Sequence, residues 1–336
     1  MEDNFWKKLL QPFLVLAPMY DVTDSAYRQI VVSCGKPDVM YTEFVSAEGL
    51  SHKISREKLI TLHLKFEENE RPIVAQLFTA NLLAMREAAR IVQELGFDGV
   101  DINMGCPDKK VVATGAGAAL VKNPNLARSL IKAAKRGASD IPVSVKIRTG
   151  YENDATRSWV KELLKEGPAV ITVHARTKKE MSKAPARWEN VADAVEEARG
   201  NETLIVGNGD VVSREDAMEK ANIFRAHGVM VGRGVLANPW FFGDALDIRM
   251  VSPQQRMRLA LQHTLLFKKY YEGVKHFRTL FKHMGNYIQG FEGARQIRAE
   301  LMSQKTFSEF EKVLVSLHRL FDGVTMQEGA KNGRGQ

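Results

Sequence analysis

The chain has 336 residues, of which 44% are hydrophobic and 26% charged, a composition typical of a soluble globular protein. No run approaches the roughly 18 uncharged apolar residues of a membrane helix, and the start, MEDNFWKKLLQPF, is too polar for a secretory signal. We therefore expect no membrane partner. With only Cys34 and Cys106, a disulfide framework is excluded and a reducing, cytoplasmic location is favoured.

The formal net charge of +8 is unevenly distributed. Residues 251–336 contain 14 Lys and Arg against 7 Asp and Glu, whereas the first 250 residues contain 34 against 33. This asymmetry favours a polyanionic partner for the C-terminal part. On charge alone, a nucleic acid and a set of merely solvated basic helices explain it equally well.

Short apolar runs alternate with amphipathic helical segments such as Leu82–Leu95 and Asn125–Arg136. Buried strands separated by helices indicate a parallel sheet. Eight such units predict an α/β fold of the (β/α)8 TIM-barrel class, whereas a doubly wound sheet would need a GxGxxG motif after its first strand. The predicted strands are Leu14–Met19, Asp38–Phe44, Ile73–Phe78, Gly99–Gly105, Pro142–Arg148, Ala169–His174, Leu204–Asn208 and Gly228–Gly232.

From Ser252-Pro253 onward the sequence has helical periodicity and no strand signal. We predict a catalytic barrel over residues 1–250, a smaller all-helical basic domain over 251–325 and a disordered tail over 326–336. Ser308 with Glu311 three residues later predicts a capping box for the last helix. The predicted helices of this part are Pro253–Gly273, Gly273–Gly290, Gly293–Ser303 and Ser308–Asp322.

Active sites of such barrels form at the C-terminal ends of the strands. Any single polar residue there has an ordinary structural explanation, because strand ends leave the core, but polar groups at nearly every strand end indicate a pocket. They are Pro18-Met19, Glu43, Gln76, Asn103 with Cys106, Lys146 with Arg148, His174 with Arg176, Asn208-Gly209-Asp210 and Gly232-Arg233.

Cys106 is a lone thiol at the end of the fourth predicted strand. The loop after it carries Lys109, Lys110 and the small residues 115–118. A thiol before a basic, glycine-containing loop favours a proton donor beside an anionic ligand, the alternative being a structural cysteine in a turn.

Two glycine motifs, GNGD (207–210) and GRG (232–234), end the seventh and eighth strands, where these barrels often bind phosphate. Lys146 interrupts an apolar strand, and an unpaired buried ammonium is costly. It would pair with Glu43 or Asp210, form a Schiff base, or stabilise an anionic ligand such as a reduced flavin. No grouping has metal-ligand spacing, and no GxSxG elbow supports a serine triad.

These motifs together resemble the FMN-dependent tRNA-dihydrouridine synthase family. NMGCP followed by KxVxxxGAGAAL is the most specific element, and LAPMYDVTDSAYR, AQLF, VSVKIRTG, HART, GNGD and VMVGRG occur in the family's order. The resemblance extends from about Leu14 to Ala299 and covers both predicted domains.

The resemblance implies an oxidoreductase that reduces uridine in tRNA to 5,6-dihydrouridine, with NADPH or NADH recharging FMN. Hydride would go from the flavin to C6, and Cys106 would give the proton to C5 of a flipped-out base. Asn103, Glu43 and Arg176 would lie on the substrate side. The residues implied to bind the cofactor are Pro18, Met19, Tyr20, Gln76, Lys146, His174, Asn208, Gly209, Asp210, Gly232 and Arg233.

The segment after HART departs from the family. It reads KKEMSKAPARW (178–188), without the aromatic residue and the glycine usual there, which leaves the details of RNA contact open. The alternatives are a flavin oxidoreductase for a small pyrimidine or enone, a non-catalytic RNA-binding barrel, and a ribosomal RNA substrate. The sequence leaves the oligomeric state open, and a monomer is compatible with it.

Overall fold

The computed structural model describes residues 4–243 and 247–332, with side chains up to Phe321. Eight parallel strands lie in the order β1-β8-β7-β6-β5-β4-β3-β2, and a bridge between Val15 and Val39 joins the two ends of the sheet. The predicted (β/α)8 barrel is confirmed. The strands are β1 Phe13–Leu16, β2 Met40–Ser46, β3 Ile73–Phe78, β4 Gly99–Met104, β5 Val143–Arg148, β6 Val170–His174, β7 Leu204–Asn208 and β8 Gly228–Val231.

The first halves of the strands enclose an apolar core. Trp6, from the short 3-10 turn before β1, packs with Phe13, Tyr41 and Val74 in this cluster, and all four side chains are almost fully buried. Because this end of the barrel is filled with hydrophobic side chains, polar groups collect at the opposite, C-terminal ends of the strands.

The first strand is shorter than predicted. It ends at Leu16, because Pro18 has no N–H to continue the ladder and the Met19 N–H turns to donate to Thr23 Oγ1 at 2.9 Å. Pro18 and Met19 therefore lie in a loop at the strand's C-terminal end. The second strand begins at Met40 and continues to Ser46, two residues beyond the predicted end.

The helices around the sheet follow the amphipathic pattern. Asn81 caps the helix Leu82–Glu94 and Asn123 caps Pro124–Gly137, so both predicted helices are found within two residues. The helices up to β8 are α1 Ser25–Cys34, α2 Ala47–Ser51, α3 Lys53–Leu59, α4 Leu82–Glu94, α5 Lys109–Ala113, α6 Pro124–Gly137, α7 Thr156–Leu164, α8 Glu189–Glu197 and α9 Arg214–Phe224.

The chain forms two compact units. One extends to Ser25 and from Lys36 to Gly234, and the other combines Ala26–Gly35 with the chain from Val235 onward. Most of α1 therefore belongs to the second, helical unit, which the sequence did not indicate. The predicted domain roles on either side of residue 250 stay a prediction. The remaining helices are α10 Arg233–Ala237, α11 Pro253–Tyr271, α12 Phe281–Tyr287, α13 Ala294–Ser303 and α14 Phe307–Asn332.

Two expectations for the helical unit were wrong. The segment Gly273–Gly290 is not one helix, because a turn at Gly273 (φ +75°) precedes a 3-10 segment and the short α12. The capping box of α14 uses Thr306 and Glu309: each backbone N–H donates to the other's side chain, at 3.1 and 3.2 Å.

Glu311, the expected partner of Ser308 in that box, instead accepts from Lys268 Nζ at 2.8 Å. Helix α14 continues to Asn332, through most of the segment 326–336 that was predicted to be disordered, and the last four residues lie outside the described residues.

Candidate active site

The strand register brings the predicted polar residues to one end of the barrel. Asn103 on β4 pairs in register with Lys146 on β5, and His174 on β6 pairs with Asn208 on β7. Side chains at paired positions of parallel strands point to the same face. The four side chains therefore lie at neighbouring levels of the barrel's C-terminal end.

A directional chain of hydrogen bonds leads from the barrel interior to the Cys106 loop. Gln76 Nε2 donates to Asp101 at 2.7 Å, and Gln76 Oε1 accepts from Asn103 Nδ2 at 2.9 Å. Asn103 Oδ1 then accepts the backbone N–H groups of Gly105 and Cys106 at 3.1 and 2.8 Å. The groups at the two ends of this series of hydrogen bonds fix the orientations of the Gln76 and Asn103 amides. Asp101 can only accept at one end, and two backbone N–H groups can only donate at the other.

Asp101 anchors that chain and is fully buried. Its second carboxylate oxygen accepts from Ser144 Oγ at 2.6 Å. Burial raises the pKa of Asp101 to about 6, although the bonds from Ser144 and Gln76 and the nearby Lys146 favour the charged form. Asp101 is not among the predicted site residues, although an acid within the otherwise apolar run GVDINM is a recognisable signal.

The Cys106 loop is also held from outside the strand. Arg148 Nε donates to the Gly105 carbonyl at 2.8 Å, and the Ala118 N–H donates to the Cys106 carbonyl at 3.0 Å. The chain folds back so closely that a Cβ at Gly117 (φ +59°) would lie 2.8 Å from the Cys106 carbonyl oxygen, which explains the glycine.

The thiol of Cys106 is free and half-buried. Burial raises its pKa above the usual value, and the Asp108 N–H and the charges of Arg148 and Lys146 oppose that shift only in part. The group is therefore protonated at neutral pH and is able to give a proton. The Cys34 thiol is free as well.

Lys146 adds a buried ammonium to these strand ends. Its ammonium donates to Asn208 Oδ1 at 3.1 Å, and the Asn208 amide donates in turn to the Met230 carbonyl at 2.7 Å. Burial, then Arg148, lowers the pKa of Lys146 to about 8. Burial also lowers the pKa of His174 well below 6.5, with Lys146 adding to the shift, so this imidazole is neutral at pH 7.

Arg176 is buried, and it holds other members of the site in place. Its guanidinium pairs with Asp210, contacts His174 Nε2 at 3.2 Å and donates to the Ala184 carbonyl at 2.5 Å. Asp210 also pairs with the exposed Arg233, at 2.7 Å. Neither Glu43 nor Asp210 is seen to pair with Lys146, which bonds to Asn208 instead.

The β1 side of the pocket holds Met19, half-exposed Tyr20 and buried Glu43. Glu43 accepts from the Asp21 N–H at 2.5 Å and meets His63 Nδ1 at 3.1 Å. Tyr20 packs against His63 with ring centroids 5.6 Å apart. Here Glu43 orders the loop after β1, and its predicted role toward substrate stays a prediction, as does that of Arg176.

Comparison with known proteins identifies the family to which this chain is similar. The family model described as dihydrouridine synthase matches residues 15–322. The "Probable tRNA-dihydrouridine synthase" of Staphylococcus epidermidis is 36% identical over 327 residues, covering 96% of this chain and 98% of the relative. The chain belongs to the dihydrouridine synthase family. The "Probable tRNA-dihydrouridine synthase 2" of Bacillus subtilis is also 36% identical, covering 96% of this chain and all of the relative.

A solved structure shares the fold at much lower identity. Histamine dehydrogenase from Rhizobium sp. 4-9 superposes with a TM-score of 0.51 at 13% identity, covering 75% of this chain and 48% of that one. This likeness concerns the fold alone.

Within the part of the chain that the structure describes, no helix combines the length and apolar character needed to cross a membrane.

Proposed function

We propose that this protein reduces uridine in tRNA to 5,6-dihydrouridine with a bound FMN. The observation that carries the proposal is the protonated, half-buried Cys106 thiol at the C-terminal end of the barrel, beside the cationic Lys146 pocket. Family membership and the names of two relatives of nearly equal length agree with this chemistry.

The residues at the ends of β7 and β8 fit a flavin's ribityl phosphate. A Cβ at Gly232 would lie 3.2 Å from Met19 Sδ, and one at Gly209 (φ +125°) would lie 2.9 Å from Ala186 Cβ. Position 209 therefore requires glycine, whereas a Cβ at position 232 would press on the flexible Met19 side chain; both glycines leave backbone N–H groups open to close approach. Arg233 adds an exposed guanidinium at the N-terminus of α10.

The deeper part of the pocket fits the polar edge of a flavin ring. Lys146 supplies a cation and bonds to Asn208, and the Gln76 amide and neutral His174 add polar groups on other strands. Pro18, Met19 and Tyr20 provide apolar surface from the β1 loop. One phosphate site, with no second nucleotide-binding fold in the described residues, favours FMN over FAD.

The chain's own residues then have distinct tasks. A bound reduced flavin supplies hydride to C6 of the uracil ring. Cys106 gives its proton to C5, and Asn103 Oδ1 and Arg148 hold the loop that carries the thiol. Lys146 would stabilise negative charge at the polar edge of a bound flavin, with its ammonium held by Asn208 Oδ1.

The reductant and the partner complete the proposal. We assign NADPH or NADH as the electron donor and the cytoplasm as the location, with Glu43, Asn103 and Arg176 on the substrate side. The basic segment 251–336 would supply RNA affinity through phosphate contacts, so binding should weaken with salt by a slope of about 0.7–0.9 per neutralised phosphate.

The test is to purify the full chain, identify the released cofactor by mass, and incubate the holoenzyme with NADPH and unmodified tRNA. We expect FMN and a uridine mass increase of two hydrogens in the tRNA. Release of FAD or of no flavin would refute the cofactor assignment. Reduction of a free pyrimidine or enone but not of tRNA would favour the small-molecule alternative, and conversion of ribosomal RNA alone would correct the substrate.

A further inference from the structure

Six lysines on the loops after β4 and β6 carry charges that the protein itself leaves unpaired. None of the six forms an ion pair with a carboxylate among the described residues. All but Lys178, which is partly covered, are exposed. The six, called the loop lysines below, are Lys109, Lys110, Lys122, Lys178, Lys179 and Lys183.

On the outer helices of the same unit, several basic residues form ion pairs with carboxylates. Arg90 pairs with Glu87 at 2.7 Å, Arg128 with Glu162 at 3.1 Å and Arg157 with Asp193 at 2.6 Å. Several basic residues on the helical sides of the barrel are therefore paired with carboxylates, although exposed Arg86 and Lys161 have no such partner in the described residues. The loop lysines differ in that none of the six is paired.

The carboxylates of these loops are mostly engaged elsewhere. Asp108 caps α5, Asp154 accepts from Thr156 and Asn190, and Glu180 accepts from Arg187. The donors to Asp108 and Asp154 are neutral, so these two carboxylates keep their charge, and Glu152 is exposed without a partner in the described part of the chain. Three negative charges therefore oppose the six positive ones.

Tyr151 gathers two of the loop lysines. Lys122 Nζ lies 3.5 Å and Lys178 Nζ 4.8 Å from the centroid of its ring. The ring attracts each ammonium, but the two like charges repel each other. Two ammonium groups held on one ring without a carboxylate form a site that an anion would stabilise.

The loops that carry this cluster are tied together and to the Cys106 loop. The Lys178 and Lys179 N–H groups donate to the Gly150 and Tyr151 carbonyls, both at 2.8 Å. The 3-10 segment that ends at Lys122 begins at Gly117, which packs on Cys106. Arg148 donates both to the Gly105 carbonyl and to the Thr177 carbonyl, at 2.8 and 3.1 Å.

We propose that the loop lysines with Tyr151 form a phosphate-binding platform that holds the RNA backbone beside the target uridine. The proposal rests on the proposed function for the identity of the polyanion. It assigns RNA contacts to the barrel unit in addition to the basic C-terminal segment. It also assigns RNA phosphate contacts to the unusual 178–188 segment. That segment carries Lys178, Lys179 and Lys183 and lacks the family's aromatic residue and glycine.

The experiment compares two double variants of the full-length holoenzyme. Lys122→Gln with Lys178→Gln removes two platform charges, and Arg136→Gln with Lys161→Gln removes two exposed charges without a carboxylate partner in the described residues from the outer helices α6 and α7. The affinity for unmodified tRNA is measured over a series of salt concentrations, and dihydrouridine formation is measured separately. Flavin absorbance and melting temperature verify that each variant is folded.

We expect the platform variant to lower the slope of log affinity against log salt by about 1.4–1.8, the contribution of two phosphates, and the control to leave it unchanged. Tyr151→Leu removes the ring that gathers Lys122 and Lys178 and should weaken tRNA binding, whereas Glu152→Gln should strengthen it. Equal slopes for the platform variant and the wild type would overturn the platform. A wild type that binds tRNA with the expected slopes but reduces none would instead overturn the proposed function.

Discussion

Each of the two units buries a cluster of polar side chains, and the clusters differ in how their hydrogen bonds are used. In the barrel unit, Asp101, Gln76 and Asn103 form a chain in which every step has a donor, an acceptor and a direction. In the helical unit, the His283 ring packs on Tyr27 with centroids 4.4 Å apart and edge-on to His263 at 4.7 Å. His283 Nδ1 has no hydrogen-bond partner there.

The difference indicates that the buried polar groups of the barrel unit support a functional site, whereas those of the helical unit contribute to packing alone. A buried network with one fixed direction restricts the groups at its end to one geometry, which a catalytic loop needs. A buried imidazole without a partner gives no such restriction and makes the unit sensitive to acid. Each unit also carries one free thiol, Cys106 in the barrel unit and Cys34 in the helical unit, which makes a matched comparison available.

The largest effect is expected when the Cys106 thiol is removed, with Cys34 as the control. Cys106→Ala should lower the single-turnover rate of reduced-flavin oxidation by tRNA by about 10²–10⁴-fold, because the general acid is lost. FMN binding, reduction by NADPH and tRNA affinity should persist. Cys34→Ala should leave the rate unchanged, since this residue ends helix α1 instead of following a strand and burial raises the pKa of its thiol to about 12. Equal rates for Cys106→Ala and the wild type would show that another group gives the proton.

A smaller loss is expected when the barrel network loses its anchor. Asp101→Asn replaces one acceptor oxygen by a donor, so Gln76 or Ser144 must turn away and Asn103 loses its fixed orientation. We expect the reduction rate to fall about 10²-fold with little change in tRNA affinity. The control is Asp98→Asn just before the same strand, where the carboxylate accepts from Arg71 and the Ile73 N–H.

The pH dependence of the reduction rate is a second test of the role of Asp101. Its raised pKa, about 6, means that the carboxylate gains a proton as pH falls through 6, while the Cys106 thiol stays protonated throughout that range. The wild-type rate should therefore decline below about pH 6, and Asp101→Asn should not show this acid limb. An acid limb of unchanged position in the variant would assign it to another group.

The barrel and its strand ends were predictable because short buried strands and helices alternate along the chain with a regular period. Polar interruptions such as Lys146 and His174 then marked the pocket. Asp101 was not recognised, because its importance lies in partners on β3 and β5 that only the register reveals. The grouping of α1 with the helical unit was equally hidden, since Tyr27 contacts His263 and His283 more than 230 residues later in the chain.

A stability effect of intermediate size is expected at His283. Burial, then His263, Lys282 and Lys275, lowers its pKa well below 6.5, so the unfolded chain binds a proton that the folded one refuses. The free energy of unfolding should therefore fall as pH drops below about 6.5, by about 1.4 kcal/mol between pH 7.5 and 5.5 for this one group. Denaturant unfolding of His283→Phe should lack that part of the decline. An identical decline in the variant would contradict the assignment, and the reduction rate should be insensitive to the change.

The smallest effects concern the surface of the helical unit, where some charges are paired and others are not. Lys268 donates to both Glu311 oxygens, at 3.0 and 2.8 Å, whereas exposed Arg278 and Arg295 have no carboxylate partner in the described residues. A lysine already neutralised by a carboxylate gives little to a phosphate, because the ion pair must first open. Lys268→Gln should therefore change tRNA affinity less than twofold, whereas Arg278→Gln with Arg295→Gln should reduce the salt slope by about 1.4–1.8 if both contact phosphates. The measurement is the tRNA affinity of each variant over the same salt series. A larger effect at Lys268 than at the arginine pair would show that the ion pairs of the free protein do not predict which groups meet the RNA.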